Sequence, residues 1–307
     1  MRIIKETSIN FMAQSRLGLY LSGAVIGAGI ISLILAGGPL LSIDFKGGTL
    51  LAVHFTDPVD VNDIRSAMSA VSIDGQPFDF SKAEIKLFGS SRDISFRIPH
   101  MDEEPANFAQ RIIAHFRKSF PDKIPEVESD FILSIEKVGP KIGSELSNKA
   151  ALAIISALGL ILFYISIRFE FNFALGAIAA LVHDVFVTLG IFSIMGYEIS
   201  LPIIAAFLTI VGYSLNDTIV IFDRIRENVK SMKRLTYTQV VDHSINDSLS
   251  RTIITSVTTF IVVLVLWLFG GEVINLFAFA MMVGVIVGTY SSIFVACPFV
   301  LRLHAGK

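Results

Sequence analysis

The sequence predicts an α-helical, multi-pass membrane protein with six transmembrane helices and one exported α+β domain inserted between helices 1 and 2. Of its 307 residues, 53% are hydrophobic and 17% are charged, which is less charge than a soluble protein of this length usually carries. A helix needs about 20 mainly apolar residues to cross a bilayer, and the chain contains six runs of roughly that length. The six runs are 17–36, 149–168, 173–195, 201–224, 252–269 and 273–301.

The segment between the first two runs, 37–148, has the composition of a domain in water. It holds 17 of the 27 acidic residues and 12 of the 25 basic residues. This acidic excess argues against a nucleic-acid partner. Because Cys297 is the single cysteine, no disulfide within the chain is possible, and the domain must be held together by its hydrophobic core.

The distribution of lysine and arginine predicts which helix ends face the cytoplasm, because short cytoplasmic loops carry the excess of both. The connections at 196–200 and 270–273 contain neither residue, whereas the alternate connections and both termini are basic. We therefore predict that both termini are cytoplasmic and that 37–148 is periplasmic. The predicted parts are a tail at 1–16, helix 1 at 17–36, the periplasmic domain at 37–148, helices 2–6 within 149–303 with a basic loop at 225–250, and a tail at 304–307.

Residue periodicity predicts the fold of the exported domain. Phe108, Ile112 and Phe116 recur on one face of a 3.6-residue period, as in an amphipathic helix. The order βαββαβ is typical of a ferredoxin-like α+β domain. The predicted strands are 49–55, 83–88, 93–98 and 130–137, and the predicted helices are 60–71 and 106–119.

Two glycine motifs flank this domain. "DFKGG" (44–48) joins the first run to the first strand, and "VGPKIGSEL" (138–146) joins the last strand to the second run. Their composition alone indicates turns and strand ends. The alternative is that both ends of the domain are specified together, as a hinge or as a rigid collar. The residues concerned are Asp44, Gly47, Gly48, Gly139, Pro140 and Gly143.

Polar side chains occur at membrane depth in two of the predicted helices. His183 and Asp184 lie about eleven residues into the helix that starts at Phe173, close to the middle of a bilayer. Asn216 and Asp217 interrupt the next helix. An aspartate there costs roughly 3 kcal/mol even on the insertion scale, so such residues usually face a bundle interior or a watery cavity. They are therefore either buried polar contacts between helices or a relay for protons or another cation.

Two arginines lie near the cytoplasmic ends of helices four and five. Arg224 is two turns from Asp217, and Arg251 opens helix five. Burial favours the protonated form of a carboxyl, whereas a nearby arginine favours the ionised form. Movement of either arginine is therefore predicted to switch a proton on Asp217 on and off. A metal site at His183 is disfavoured, because no second histidine lies nearby.

Small and hydroxylated residues mark the last two helices. Arg251 and Thr255 begin a polar stripe on helix five, although threonine hydroxyls can also bond the carbonyls of their own helix. On helix six, Gly284, Gly288 and Ser292 recur at a four-residue spacing that lets helices approach closely. We interpret this spacing as helix packing. Glycines at the same spacing on helix one are Gly23 and Gly27.

Several segments together resemble the SecF subunits of the bacterial protein-export machinery, which belong with SecD to the SecD/SecF family of the resistance-nodulation-division superfamily. The resemblance covers essentially the whole chain, in order. The segments are "GYSLNDTIVIFDRIREN" (212–228), "RTIITSVTT" (251–259), "VGTYSSIF" (287–294) and the two glycine motifs.

The resemblance implies a protein of the bacterial inner membrane that pairs with SecD in a twelve-helix unit and uses the proton gradient to help draw preproteins out. It also implies contacts with SecYEG, YajC, YidC, unfolded preprotein and the lipid bilayer, and no cofactor. The acid embedded in the membrane in this family corresponds to Asp217 through the "NDT" motif, and its arginine corresponds to Arg251. Because the chain has no second six-helix half, the resemblance implies a separate subunit whose proton path another protein completes.

Two alternative functions stay open at this point. A small-molecule or lipid exporter of the same superfamily needs a large porter domain in both halves, whereas the insert here has about 110 residues. A non-conducting scaffold of the translocase shares the fold and the partners, and Asp217→Asn distinguishes it. An enzyme is disfavoured, because the sequence shows no phosphate-binding glycine loop followed by lysine and no nucleophile elbow.

Overall fold

The chain folds into two units, a helical unit of Met1–Leu40 with Leu152–Lys307 and an α+β unit of Leu41–Ala151. The computed structural model describes residues 7–69, 72–73, 76–77, 80, 83–88, 90–101, 107–168 and 170–305. Parts of the predicted tails (1–6 and 306–307) and the predicted helix ends at 70–71 and 106 lie outside these residues.

The predicted helices and strands occur along the chain in the predicted order, and the short elements at Ile43–Lys46, Ser72–Ile73, Gln76–Pro77 and Glu128–Phe131 are additional. The helices are α1 (Ser15–Leu35), α2 (Ile43–Lys46), α3 (Val61–Ser69), α4 (Phe108–Ser119), α5 (Glu128–Phe131), α6 (Pro140–Arg168), α7 (Phe171–Met195), α8 (Leu201–Ser231), α9 (Tyr237–Phe269), α10 (Glu272–Ser291) and α11 (Cys297–Ala305), with a π-helix at Ser292–Ala296 between the last two. The strands are β1 (Gly48–His54), β2 (Ser72–Ile73), β3 (Gln76–Pro77), β4 (Glu84–Phe88), β5 (Ser90–Ile98) and β6 (Ile132–Val138).

Within the described residues, six helical segments are long and apolar enough to cross a membrane, as predicted. Some helices are longer than the apolar runs that predicted them. Helix α9 starts at Tyr237 because Thr236 and Gln239 form a capping box, in which each side chain accepts a hydrogen bond from the other residue's backbone N–H. The segment predicted as a basic loop, 225–250, is consequently helical except at 232–236.

The helical unit has an inner and an outer set of helices. Helices α7, α8 and α10 are about half buried, whereas α1 and α9 expose most of their apolar surface. Small residues set the distance between α1 and α7, because a Cβ atom at Gly29 would lie 2.6 Å from the Cα atom of Gly190. Predicted packing glycines Gly23 and Gly27 instead have no atom within 4 Å of an added Cβ. They lie on the open side of the helix, so the sequence spacing selected the wrong glycines.

The α+β unit is a four-stranded sheet in the order β4-β5-β1-β6, in which every neighbouring pair is antiparallel. Its core lies on one face of the sheet, where Leu51 and Phe96 pack with Ile64 of α3 and Phe116 of α4. The β2–β3 hairpin was not predicted. The predicted strand at 130–137 begins at Ile132, because the preceding residues form the short helix α5.

The two glycine motifs contact each other within the α+β unit. Gly47 (φ 75°) and Gly48 (φ 136°) adopt backbone conformations that favour glycine, and a Cβ atom at Gly48 would overlap the carbonyl oxygen of Ile98. A Cβ atom at Gly143 would lie 2.9 Å from the carbonyl oxygen of Phe45. The other motif residues are Asp44 in the first turn of α2, Gly139 with open space around it, and Pro140 as the first residue of α6.

Candidate functional site

Polar side chains inside the helical unit gather around its two membrane-embedded aspartates. We define two groups of contacts. The Asp184 network consists of Ser22, His183, Asp184, Ser214, Tyr290 and Ser291, with the backbone carbonyl of Gly18. The Asp217 site consists of Tyr213, Asp217, Ser256 and Thr289. Asp184 is fully buried and Asp217 is 2% exposed. Burial of this kind requires hydrogen-bond partners, and the two aspartates meet the requirement differently.

The Asp184 carboxyl is surrounded by donors from three helices. Its Oδ2 atom accepts hydrogen bonds from the hydroxyls of Ser214 on α8 and Ser291 on α10, the latter at 2.8 Å. Its Oδ1 atom lies 2.8 Å from Nδ1 of His183, the preceding residue on α7. Both carboxyl oxygens therefore have partners within this chain.

His183 extends the network to α1. Its Nε2 atom lies 2.9 Å from the Ser22 hydroxyl, which in turn lies 3.1 Å from the Tyr290 hydroxyl. Tyr290 donates to the backbone carbonyl of Gly18, and its ring stacks on that of His183 with 6.0 Å between centroids. A continuous chain of hydrogen bonds thus joins α1, α7 and α10.

The Asp217 site has fewer contacts to its carboxyl. Ser256 on α9 donates to Oδ2 of Asp217 at 3.4 Å, a long hydrogen bond. The Ser256 hydroxyl also lies 2.6 Å from that of Thr289 on α10 and accepts from Tyr213 at 3.1 Å. Thr289 is the second side-chain hydrogen-bond partner of the Asp217 carboxyl. Arg251 is close enough to interact electrostatically with Asp217. The site therefore combines a weakly bonded carboxyl with a nearby cation.

Glycines on α10 explain how these helices come so close together. A Cβ atom at Gly284 would overlap Ile210, and one at Gly288 would lie 2.9 Å from the Cβ atom of Ser214. One turn further on, the hydroxyls of Ser292 and Thr218 lie 2.8 Å apart. Ser292 opens the π-helix, a local widening that is frequent at functional sites. These small residues thus lie where α10 approaches α8 closely.

Other predicted residues are not brought to the aspartates. The Arg224 guanidinium forms an exposed ion pair with Glu227 at 3.1 Å. Asn216 is exposed on α8, and the hydroxyl of Thr218 bonds Ser292. Thr255 bonds the carbonyl oxygen of Arg251 in its own helix at 3.1 Å. In the part of the chain that the structure describes, no three His, Cys, Asp or Glu side chains are placed to hold a metal ion.

Sequence reasoning missed the hydroxyl partners of the aspartates. Ser22 is flanked by small and apolar residues, and Ser256 stands among threonines that bond their own helix, so neither position is by itself a signal. The run "GTYSS" (288–292) was a signal, because it holds four consecutive hydroxyl residues in a membrane helix. Three of them turn out to serve the two sites, namely Thr289, Tyr290 and Ser291.

Comparisons with known proteins agree with these features. Residues 122–306 match the family model described as "Protein export membrane protein SecD/SecF, C-terminal". The protein translocase subunit SecF of Rhodothermus marinus is 43% identical over 311 residues, covering 99% of this chain and 96% of that protein. The SecF subunit of Desulfurispirillum indicum is 48% identical over 245 residues, which are 79% of this chain and 75% of that protein.

Solved structures of SecDF have the same fold. The crystal structure of SecDF from Thermus thermophilus, described as a translocon-associated membrane protein, matches 98% of this chain with a TM-score of 0.81 and 36% identity. SecDF in its super-membrane-facing form matches the whole chain with a TM-score of 0.67. This chain spans 39% of the length of the first SecDF chain and 40% of the second.

Proposed function

We propose, because the chain belongs to the SecD/SecF family of protein export membrane proteins, that it works as a SecF subunit of the bacterial Sec translocase. In this proposal it couples proton flux through its membrane helices to late steps of protein export. The observation that carries the proposal is the full-length similarity to SecF subunits, combined with a buried carboxyl, Asp217, at the center of the "NDT" motif.

Asp217 is the residue we assign to proton binding. Its carboxyl has hydrogen-bond partners in two hydroxyls, Ser256 and Thr289, and the bond from Ser256 is long at 3.4 Å, so gaining or losing a proton disturbs few fixed contacts. In this proposal the positive charge of Arg251 stabilises the ionised carboxylate of Asp217 while the two are close. When Arg251 moves away, that stabilisation is lost and the carboxyl takes up a proton. A proton that crosses the membrane gains about 2.3 kcal/mol per 100 mV, which is enough to shift a conformational equilibrium by tens of fold.

A SecD subunit is the partner we propose for the open side of this site. Asn216 on α8 precedes Asp217 in the sequence, and Arg251 on α9 interacts with the Asp217 carboxyl electrostatically. Both side chains are nevertheless exposed. Exposed amide and guanidinium groups are costly in lipid, so we expect another protein to cover them. The part of SecDF that this chain does not match would be supplied by that subunit.

The remaining assembly is part of the same proposal. We place the chain in the inner membrane with both termini in the cytoplasm and residues 37–148 in the periplasm, on the support of the lysine and arginine distribution. SecYEG, YajC and YidC are the proposed neighbours, and unfolded preprotein is the proposed substrate. No nucleic acid or cofactor enters the mechanism.

We propose further that the periplasmic domain has a ferredoxin-like fold with a rigid base. The sheet order β4-β5-β1-β6, with all neighbours antiparallel, supports the fold. The contact of Gly143 with the backbone of Phe45 and Gly47 supports a collar in which both chain connections are held together. A collar of this kind lets the domain transmit movement instead of bending freely at its base.

Co-purification tests the identity of the complex. The chain is tagged, expressed in its host and isolated with mild detergent, and the bound proteins are identified by mass spectrometry. We expect SecD and the SecYEG subunits. Their absence from a preparation in which the chain is folded would contradict the proposal and favour the exporter alternative.

A further inference from the structure

We propose that His183 and Asp184 together hold two protons. A neutral imidazole beside a carboxylate would hold one, so the additional proton makes the Asp184 network a second proton-binding site. The proposal follows from the direction of each hydrogen bond in the network. As a binding site it needs nothing from the proposed export function, and its use in coupling rests on that function.

A backbone carbonyl fixes the direction of the first bonds. Gly18 offers a carbonyl oxygen, which only accepts, so Tyr290 must donate its hydroxyl proton there. The contact between Tyr290 and Ser22 (3.1 Å) must then use the proton of Ser22. The contact between Ser22 and His183 (2.9 Å) must in turn use a proton on Nε2 of the imidazole. Proton positions are thus assigned from the network of contacts.

The last contact requires an additional proton. A neutral histidine that carries its proton on Nε2 has a bare Nδ1 atom, and an ionised aspartate only accepts. Yet Nδ1 of His183 lies 2.8 Å from Oδ1 of Asp184. A proton between these two atoms, on the ring or on the carboxyl, turns a repulsive contact into a hydrogen bond. On Oδ2 of Asp184, the bonds from Ser214 and Ser291 are already complete.

Burial favours the same protonation state. Asp184 is fully buried and His183 is 6% exposed, and an ionised carboxyl beside a neutral ring would leave a net charge of −1 in this interior. The additional proton makes the pair neutral overall, either as imidazolium and carboxylate or as imidazole and carboxylic acid. Such a pair shares the proton between the ring and the carboxyl.

Other titratable groups on the packed helices are engaged elsewhere. Within the network, Tyr290 on α10 donates its hydroxyl proton to the carbonyl oxygen of Gly18. Asp217 on α8 is bonded to Ser256 on α9, and Cys297 on α11 donates to the carbonyl oxygen of Ser292. The bonds of these three groups thus lie outside the His183–Asp184 pair. The additional proton therefore belongs to the His183–Asp184 pair.

Loss of this proton has a defined structural consequence. The remaining ring proton would move to Nδ1 and face the carboxylate, and Ser22 would turn its proton to Nε2. The Ser22–Tyr290 contact would then contain no proton and would open. Helix α1 would lose its Ser22 hydrogen bond to Tyr290 and keep the one at the Gly18 carbonyl. The protonation state is therefore linked to the packing of α1 against α10.

Nitrogen-15 NMR of the full chain in lipid nanodiscs tests the proposal without any export assay. Histidine is labelled, the His183 ring signals are assigned by their loss in His183→Gln, and carboxyl protonation is read from the infrared carbonyl band that disappears in Asp184→Asn. We expect two protons shared among Nε2, Nδ1 and Oδ1 at neutral pH, with Nε2 always protonated. A bare Nε2 atom, or an ionised Asp184 beside a neutral ring, would overturn the proposal.

Two variants make the test independent of folding defects. In Asp184→Asn the amide donates to Nδ1 of His183 and still accepts from Ser214 and Ser291, so we expect the fold to persist with a single ring proton on Nε2 at neutral pH. Asp217→Asn is the matched control and should leave both protons of the pair in place. Loss of one of them in Asp217→Asn would show that the two aspartates form one site, which also overturns the proposal.

Discussion

Asp184 and Asp217 lie in the same bundle of helices, but they are built into it in different ways. Asp184 has partners for both oxygens from α7, α8 and α10, with bonds of 2.8 Å to His183 and Ser291. Asp217 has a 3.4 Å bond to Ser256, whose hydroxyl already bonds its own helix at 2.8 Å. The exposed neighbours of Asp217 point to a partner, whereas Asp184 is complete within the chain. A buried acid can thus be stabilised fully by its own chain, as Asp184 is, or lie beside exposed polar groups that another chain can cover, as Asp217 does.

The largest expected effect is on the folding stability of the isolated chain when Asp184 is removed. Asp184→Ala leaves His183, Ser214 and Ser291 without their shared acceptor, and we expect a loss of about 3–5 kcal/mol, as for breaking a buried pair. Asp217→Ala removes the long bond from Ser256 and the hydrogen bond with Thr289, and should cost about 1–2 kcal/mol. Unfolding in mixed micelles measures both. Equal losses would remove the distinction between the two aspartates.

Packing between α8 and α10 affects both aspartates, because it positions Ser214 and Thr289. Gly284→Ala places a methyl group against Ile210, and Gly288→Ala places one against Ser214, so we expect each to cost about 1–3 kcal/mol. Gly23→Ala is the control, since its added methyl group meets open space and alanine favours a helix by up to about 1 kcal/mol. The same unfolding assay decides. A destabilised Gly23→Ala with unaffected Gly284→Ala would contradict the helix packing.

A smaller effect is expected for the hydroxyl pair formed by Thr218 on α8 and Ser292 in the π-helix. Thr218 and Ser292 lie 2.8 Å apart, and Ser292 also bonds the carbonyl oxygen of Gly288. A double-mutant cycle with Thr218→Val and Ser292→Ala should give a coupling energy of about 0.6 kcal/mol, the average for such contacts in membranes. A coupling near zero would mean that the two hydroxyls do not bond in the membrane.

The smallest effect is expected at Arg224. Because its guanidinium is paired with Glu227 at an exposed position, Arg224→Gln should change stability by about 0.5 kcal/mol or less and leave proton-driven export intact. Arg251→Gln provides the comparison, since Arg251 interacts with Asp217. Export assays with and without a proton gradient separate them. Loss of coupling in Arg224→Gln would show that this arginine leaves Glu227 during the cycle.

The sequence predicted the architecture well because membrane constraints are strong. A run of about 20 apolar residues has few alternatives to a spanning helix, and each of the six runs coincides with a spanning segment to within one residue or lies inside it. The limits of the helices were less predictable, since α9 begins in the polar segment at Tyr237 where a capping box, and not hydrophobicity, sets the start. The β2–β3 hairpin is too short to leave a periodic signal.

The site was predicted in part for a similar reason. Aspartates within apolar runs stand out, so Asp184 and Asp217 were identified from their positions alone. Their partners depend on how the helices rotate against one another, which the sequence does not state. Ser256 and Thr255 are adjacent, yet the first reaches Asp217 and the second bonds its own helix. Gly29, and not Gly23 or Gly27, contacts α7 for the same reason.

Export by reconstituted translocase containing Asp217→Asn tests the central claim most directly. The variant is assembled with SecD and SecYEG in proteoliposomes, and the amount of preprotein exported is measured with and without an imposed proton gradient. We predict that the variant assembles to the native level and that its export no longer responds to the gradient. A native response in a fully assembled complex would contradict the account and leave the chain as a scaffold of the translocase.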